Sequence, residues 1–203
     1  LVTSNIIRKE TRNAMEVYSF YSEDEREVAS TIKTQQVDTD SRATIITNIF
    51  KEYLAPANRE VYCNASKNIG VSVMGKELYN STNTDIKVDF VFDNITGDVN
   101  TFALANNPDR LVFYMADLYN ECAELKNIFH WYCQVDKYLK TPAHSEARQK
   151  TNNEFRAQAA DILRTKIVPK FRELFDKSAI ISGNLIIDNI TLKGKEKYKT
   201  AVE

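Results

Sequence analysis

Between Pro108 and Pro142 the chain carries no helix-breaking residue. Across this stretch apolar side chains recur at alternating spacings of four and three: Leu111, Met115, Leu118, Cys122, Leu125, Phe129 and Tyr132. Leu139 extends the row after a polar Asp136. A heptad pattern of this length predicts one long helix over 108–140. Such a seam can serve a coiled-coil dimer or the core of a single bundle. Tyr114, Tyr119, Ile128, Trp131 and Val135 widen the apolar surface beyond a two-stranded seam, which favours the bundle. Composition points the same way. The chain has only five Gly and four Pro, far fewer turns than a many-stranded β architecture requires. The expectation is an all-α protein.

The remaining helices are placed by their caps. Ser4 or Asn5 starts a first helix to about Tyr21, and Ser22 with Glu25 forms a capping-box pattern for a second. Asp40 begins a third, with Ile46/Phe50 and Ile49/Tyr53 paired on its faces, and Ala55-Pro56 ends it. Asn64 begins a fourth, ASKNIGVSVMGKELY, weakened by Gly70, Val71 and Val73. In KVDFVFD, Val88, Phe90 and Phe92 alternate at strand spacing, but a lone short segment reads as a buried extended connection. Asp93 caps a helix to about Ala105. Ser145 starts another to Ile167, which Pro169 breaks or kinks. Ser-Gly-Asn at 182–184 marks a turn between short apolar runs, and the lysine-rich tail KGKEKYKTAVE is expected to fray.

With 27 Lys+Arg against 28 Asp+Glu, the net charge of −1 gives no whole-chain argument for nucleic acid or an anionic membrane. No apolar run is long enough to span a bilayer, and the first residues are too polar for a signal peptide. Cys63, Cys122 and Cys133 form no CxxC spacing. On one helix Cys122 and Cys133 stand about 16 Å apart, too far to bridge. A reducing, cytoplasmic compartment is therefore expected. Four N-x-S/T sequons, at Asn64, Asn80, Asn94 and Asn189, leave a secreted or viral surface glycoprotein as a further reading.

Catalytic signals are sparse. His130 and His144 are the only histidines, and neither belongs to a metal-binding motif. No phosphate-loop, dinucleotide or nucleophile-elbow pattern occurs. The reading is of a protein-interaction module with no active site, metal or cofactor of its own.

A shift of 113 residues lays NIFKEYLAPANREVY (48–62) over DILRTKIVPKFRELF (161–175). Pro56 meets Pro169, Arg59 meets Arg172 and Glu60 meets Glu173, while Tyr18 falls on Trp131 and Gly70 on Gly183. This order predicts a degenerate internal repeat, with one unit over 1–125 and an incomplete one over 126–203.

The repeat unit resembles the regulator of G-protein signalling (RGS) domain. IFKEYL (49–54), APANREVYCNAS (55–66), FDNITGDV (92–99), Asn106-Asn107, Arg110-Leu111-Val112 and WYCQVDKY (131–138) follow the family's order of motifs. The resemblance implies two RGS-like helical bundles joined through the long helix 108–140. It also implies a module that binds the switch regions of a G-protein alpha subunit and stabilises their transition-state geometry. Its partner surface would comprise Glu60, Tyr62, Asn64, Asn106, Asn107 and Arg110. Tyr62 and Asn106 replace an asparagine and an acidic residue of the family pattern, which puts acceleration of GTP hydrolysis in doubt. The alternative is a structural helical-bundle or coiled-coil scaffold with no G-protein role, including a homodimer through the 111–139 seam.

Overall fold

A computed structural model describes residues 7–12, 15–20, 22–55, 59–62, 65–79, 83–93, 97–106, 108–140, 146–187 and 190–203. In chain order the elements are β1 (Ile7–Arg12), β2 (Met15–Phe20), α1 (Glu23–Lys33), α2 (Thr39–Leu54), β3 (Arg59–Tyr62), β4 (Ala65–Val73) and β5 (Lys76–Tyr79). There follow β6 (Ile86–Val91), α3 (Val99–Ala105), β7 (Arg110–Tyr114), α4 (Ala116–Glu121), α5 (Ala123–Leu139) and α6 (Glu146–Ile162). A π turn over Leu163–Ile167 leads into α7 (Val168–Lys177), then β8 (Ala179–Ser182), β9 (Leu185–Ile187) and α8 (Gly194–Val202). The protein is therefore mixed α/β, and the expected all-α architecture is overturned by a seven-stranded sheet.

Two compact units divide the chain, each built from two stretches: 1–37 with 128–165, and 38–127 with 166–203. The expected boundary near 125 was that of a sequence repeat, whereas these units interleave along the chain. In the first unit, β1 and β2 pair as an antiparallel hairpin where a helix to Tyr21 was expected. The capping box of α1 forms as predicted: the Glu25 N–H donates to Ser22 Oγ at 3.2 Å and the Ser22 N–H to Glu25 Oε2 at 2.6 Å. Val28, Ala29 and Ile32 of α1 pack with Val135, Phe155 and Ala159. Buried Gln134 donates to the carbonyls of Lys33 and Gln35, closing the C-terminal end of α1.

The second unit holds the sheet, in strand order β3-β4-β6-β7-β8-β9, with β5 paired to β4. The β4–β6 and β6–β7 pairs are parallel, and the other pairs are antiparallel. In β4, Ile69, Val71 and Val73 are buried while Gly70 and Ser72 turn to the other face. This period of two makes a strand of the segment expected as a fourth helix, and β-branched valines favour the pleat. Val88 and Phe90 do the same in β6, with Phe92 one residue past its end, and β6 finds its partners in β4 and β7. They face a dense aromatic core with Phe50 of α2, Phe113 of β7, and Phe171 and Phe175 of α7. Ring centroids there lie between 4.9 and 6.5 Å. Each such side chain contributes about 1.5–3 kcal/mol on burial.

The helix expected over 108–140 is three elements. Leu111 to Tyr114 are all buried because β7 is covered on both faces. Val112 and Tyr114 pack with Ala103 of α3, while Phe113 stacks on Phe90 at 5.2 Å. The heptad row thus runs through a strand, α4 and α5, and Leu111, Met115 and Leu125 are buried within their own chain. The repeat fails on the same ground: Arg59–Tyr62 is strand β3, and its counterpart 172–175 is helical in α7.

Smaller corrections follow from caps. Asp38 rather than Asp40 caps α2, accepting from the Ser41 N–H at 2.7 Å, and α2 stops at Ala55 as expected. Asp98 rather than Asp93 caps α3, and the hydrogen bond from the Thr101 backbone holds its carboxyl below the ordinary range. The turn at Gly183 joins β8 to β9 as a hairpin. The tail does not fray: α8 buries Lys197 and Tyr198, and Tyr198 stacks on Phe113 at 5.9 Å. Among the described residues, no helix is long and apolar enough to cross a membrane.

Candidate functional site

The two faces of the sheet differ in kind. One carries the aromatic core. On the other, α3 covers the β7–β9 side through Ala103, Val112, Tyr114 and Ile181. Apart from Val91, which packs beside α3, β4 and β6 carry no helix on that face among the described residues, and an open cavity of about 600 Å³ lies there. This volume suits a small-molecule site.

Strand register decides which side chains the cavity receives. Gly70, Lys87 and Arg110 align across β4, β6 and β7, and the next same-face row is Ser72, Asp89 and Val112. The Ser72 hydroxyl donates to Asp89 Oδ1, and Asp89 Oδ2 pairs with Arg110 Nη1 at 3.1 Å. Lys87 pairs with Asp109 at 3.3 Å. Two cations directly opposite each other on neighbouring strands repel, so each is held by its own carboxylate. Arg110 remains 45% exposed, and a guanidinium that spends one N–H on Asp89 still has donors to offer.

The backbone around the cavity is tied down. Asp85 and Asn68 exchange hydrogen bonds, the Asn68 N–H donating to Asp85 Oδ2 at 2.8 Å and the Asp85 N–H to the Asn68 carbonyl at 2.9 Å. This places Thr84 over Gly70, where an added Cβ would meet Thr84 Cγ2 at 2.9 Å. On the other flank Asn106 Nδ2 donates to the Gly183 carbonyl at 2.8 Å, and the Gly183 N–H donates to the Arg110 carbonyl at 3.1 Å. Gly183 has φ +58 with Pro108 backbone 3.4 Å from a Cβ position, so only glycine fits this turn without strain.

Of the expected partner-surface residues, Asn106 and Arg110 both line the cavity. Glu60 and Tyr62 lie instead on β3, at one end of the strand order. Asn64 and Asn107 lie outside the described residues, as do His144, Cys63 and all four sequon asparagines. His130 is exposed on α5, and Cys122 and Cys133 are not in disulfides. Sequence reasoning missed Ser72, Lys87 and Asp89. Their signal was present in KVDFVFD: once Val88, Phe90 and Phe92 face a core, Lys87 and Asp89 must face the other way. Among the described residues, no group of three His, Cys, Asp or Glu side chains is placed to hold a metal ion.

Compared with known proteins, the chain matches no family model, no curated protein and no solved structure. The function therefore has to be argued from the site itself.

Proposed function

We propose that the chain is a recognition domain, which binds a ligand or partner on the open half of its sheet and performs no reaction of its own. The observation that carries this reading is the Ser72–Asp89–Arg110 chain of contacts, which links polar side chains of three strands beneath an open cavity. Strands place these groups more firmly than loops could, and the Asp85–Asn68 and Asn106–Gly183 ties hold the rims. Ser72 is paired with a carboxylate already engaged by a guanidinium, an arrangement that fixes charge rather than activating a nucleophile. The cavity reaches the carboxyl ends of the parallel strands β4 and β6, at Met74, Gly75, Phe92 and Asp93, which is the side of an open sheet where ligands commonly bind.

A G-protein alpha subunit is kept as an arm of the test. That expectation rests on an all-helical unit, and β3, β4 and β7 occupy segments that would have formed its partner surface.

The test is titration of the ¹⁵N-labelled chain with a fragment library of charged and neutral small molecules, read by amide shifts. Shifts clustering on Gly70, Ser72, Asp89 and Arg110 support the reading. Fragments that bind only elsewhere, or no binding at these amides by any fragment or alpha subunit, overturn it. Alpha subunits loaded with GDP, with and without aluminium fluoride, are added in parallel. Fluoride-dependent binding that moves the same amides would make the ligand a protein.

A further inference from the structure

The charge inventory of the cavity narrows what it can hold. Its lining includes two cations, Lys87 and Arg110, and three carboxylates, Glu77, Asp89 and Asp93, so the sum is two minus three, or −1. A polyanion such as a nucleotide would add like charge to a lining already negative. A simple cation would leave Arg110 without a ligand partner. The cavity also has an apolar part, made by Val91, Phe102 and Val112 beside α3. Phe102 is fixed there against Tyr114 with ring centroids 5.1 Å apart.

Resting on the recognition reading above, we propose that the ligand is a small zwitterion with an apolar side group, of the α-amino-acid class. Its carboxylate is taken by Arg110, which Asp89 holds in place, with Lys87 opposite in register. Its ammonium group is met by Glu77, which shares the register row of Ser72 and Asp89. Its side group lies against Val91, Phe102 and Val112. Such a ligand brings no net charge into a site of mixed sign and satisfies both kinds of partner at once, which is how a polar site rejects an analogue lacking one group.

The experiment titrates the ¹⁵N-labelled full chain with L-phenylalanine, with 3-phenylpropanoate, which lacks the ammonium, and with 2-phenylethylamine, which lacks the carboxylate. The expected result is that L-phenylalanine shifts the amides of Ser72, Asp89 and Arg110, while each analogue binds at least about tenfold more weakly. Arg110→Ala should abolish the response to L-phenylalanine while leaving the spectrum of a folded chain. Equal binding of either analogue overturns the zwitterion class. Failure of all three while library fragments still reach the cavity overturns it too, and leaves the recognition reading standing. Absence of any binding in the cavity removes both.

Discussion

Lys197 closes a helix to which it does not belong. From α8 its ammonium donates to the carbonyls of Phe175, Asp176 and Ser178 at 2.9, 3.0 and 2.8 Å, and to Ser178 Oγ at 3.0 Å. Phe175 and Asp176 lie in the last turn of α7 and Ser178 is its C-terminal cap, so the ammonium gathers the carbonyls at that helix end. The residue is only 2% exposed, and burial pulls its pKa down from 10.5 to about 8, opposed by the charge of Asp176. An unfolded lysine keeps its proton up to its ordinary pKa. Between pH 8 and 10.5 the unfolded chain therefore binds a proton that the folded chain has released, and stability rises with pH across that window. Below pH 8 the folded state bears the full cost of the buried charge, on the order of 3 kcal/mol. Urea unfolding at pH 7 and pH 9.5 should show wild type gaining stability relative to Lys197→Met, which lacks the titrating group. Parallel shifts in the two proteins would reject the assignment.

At the scale of elements, the decisive question is what lies on each face. The heptad row reads as a helix because Leu111, Met115 and Leu118 have helical spacing and no glycine interrupts them. The residues between them, Val112, Phe113 and Tyr114, are as apolar as the row itself. That continuity belongs to a strand covered on both faces, and period alone cannot tell it from a buried helix. Leu125 separates the two readings in solution. It is fully buried in its own chain, so Leu125→Asp should unfold the protein by burying an unpaired charge, with loss of the circular dichroism signal and of the melting transition. If the row were instead a dimer contact, the variant would sediment as a folded monomer. The caps were more legible. Ser22 with Glu25 and the stop at Ala55 are local chemistry, and they are where the sequence indicated them. The strands β4 and β6 were half legible: their alternation is plain at Ile69, Val71 and Val73 and at Val88, Phe90 and Phe92. Pairing with partners far along the chain is what makes them strands, and local pattern does not report it. The site followed the same rule. Arg110 and Asn106 were singled out through a resemblance, whereas Asp89 and Ser72 become visible only when β4 and β6 are laid side by side.

For the whole molecule, the order of assembly along the chain makes a sharper test than any single residue. A protein of two sequential units would yield a folded fragment when cut near residue 125. In the unit that carries the sheet, β7 pairs with β8, which lies beyond that point. Phe50, Phe90, Phe92 and Phe113 lie before the cut, whereas Phe171 and Phe175, which pack on them, and Tyr198, which stacks on Phe90 and Phe113, lie after it. A fragment of residues 1–125 therefore loses one neighbour of a central strand and the cover of its aromatic core. The exposed edge of β7 and the bared rings would then form a template for aggregation. The fragment should be poorly dispersed in its amide spectrum and bind a hydrophobic dye, without a cooperative melt. Adding residues 126–203 as a separate chain should restore dispersion if the two pieces can find each other, since the missing contacts are strand pairing and aromatic packing rather than a covalent link. A well-dispersed, cooperatively melting 1–125 fragment would instead restore the sequential division and count against the interleaved sheet on which the proposed site is built.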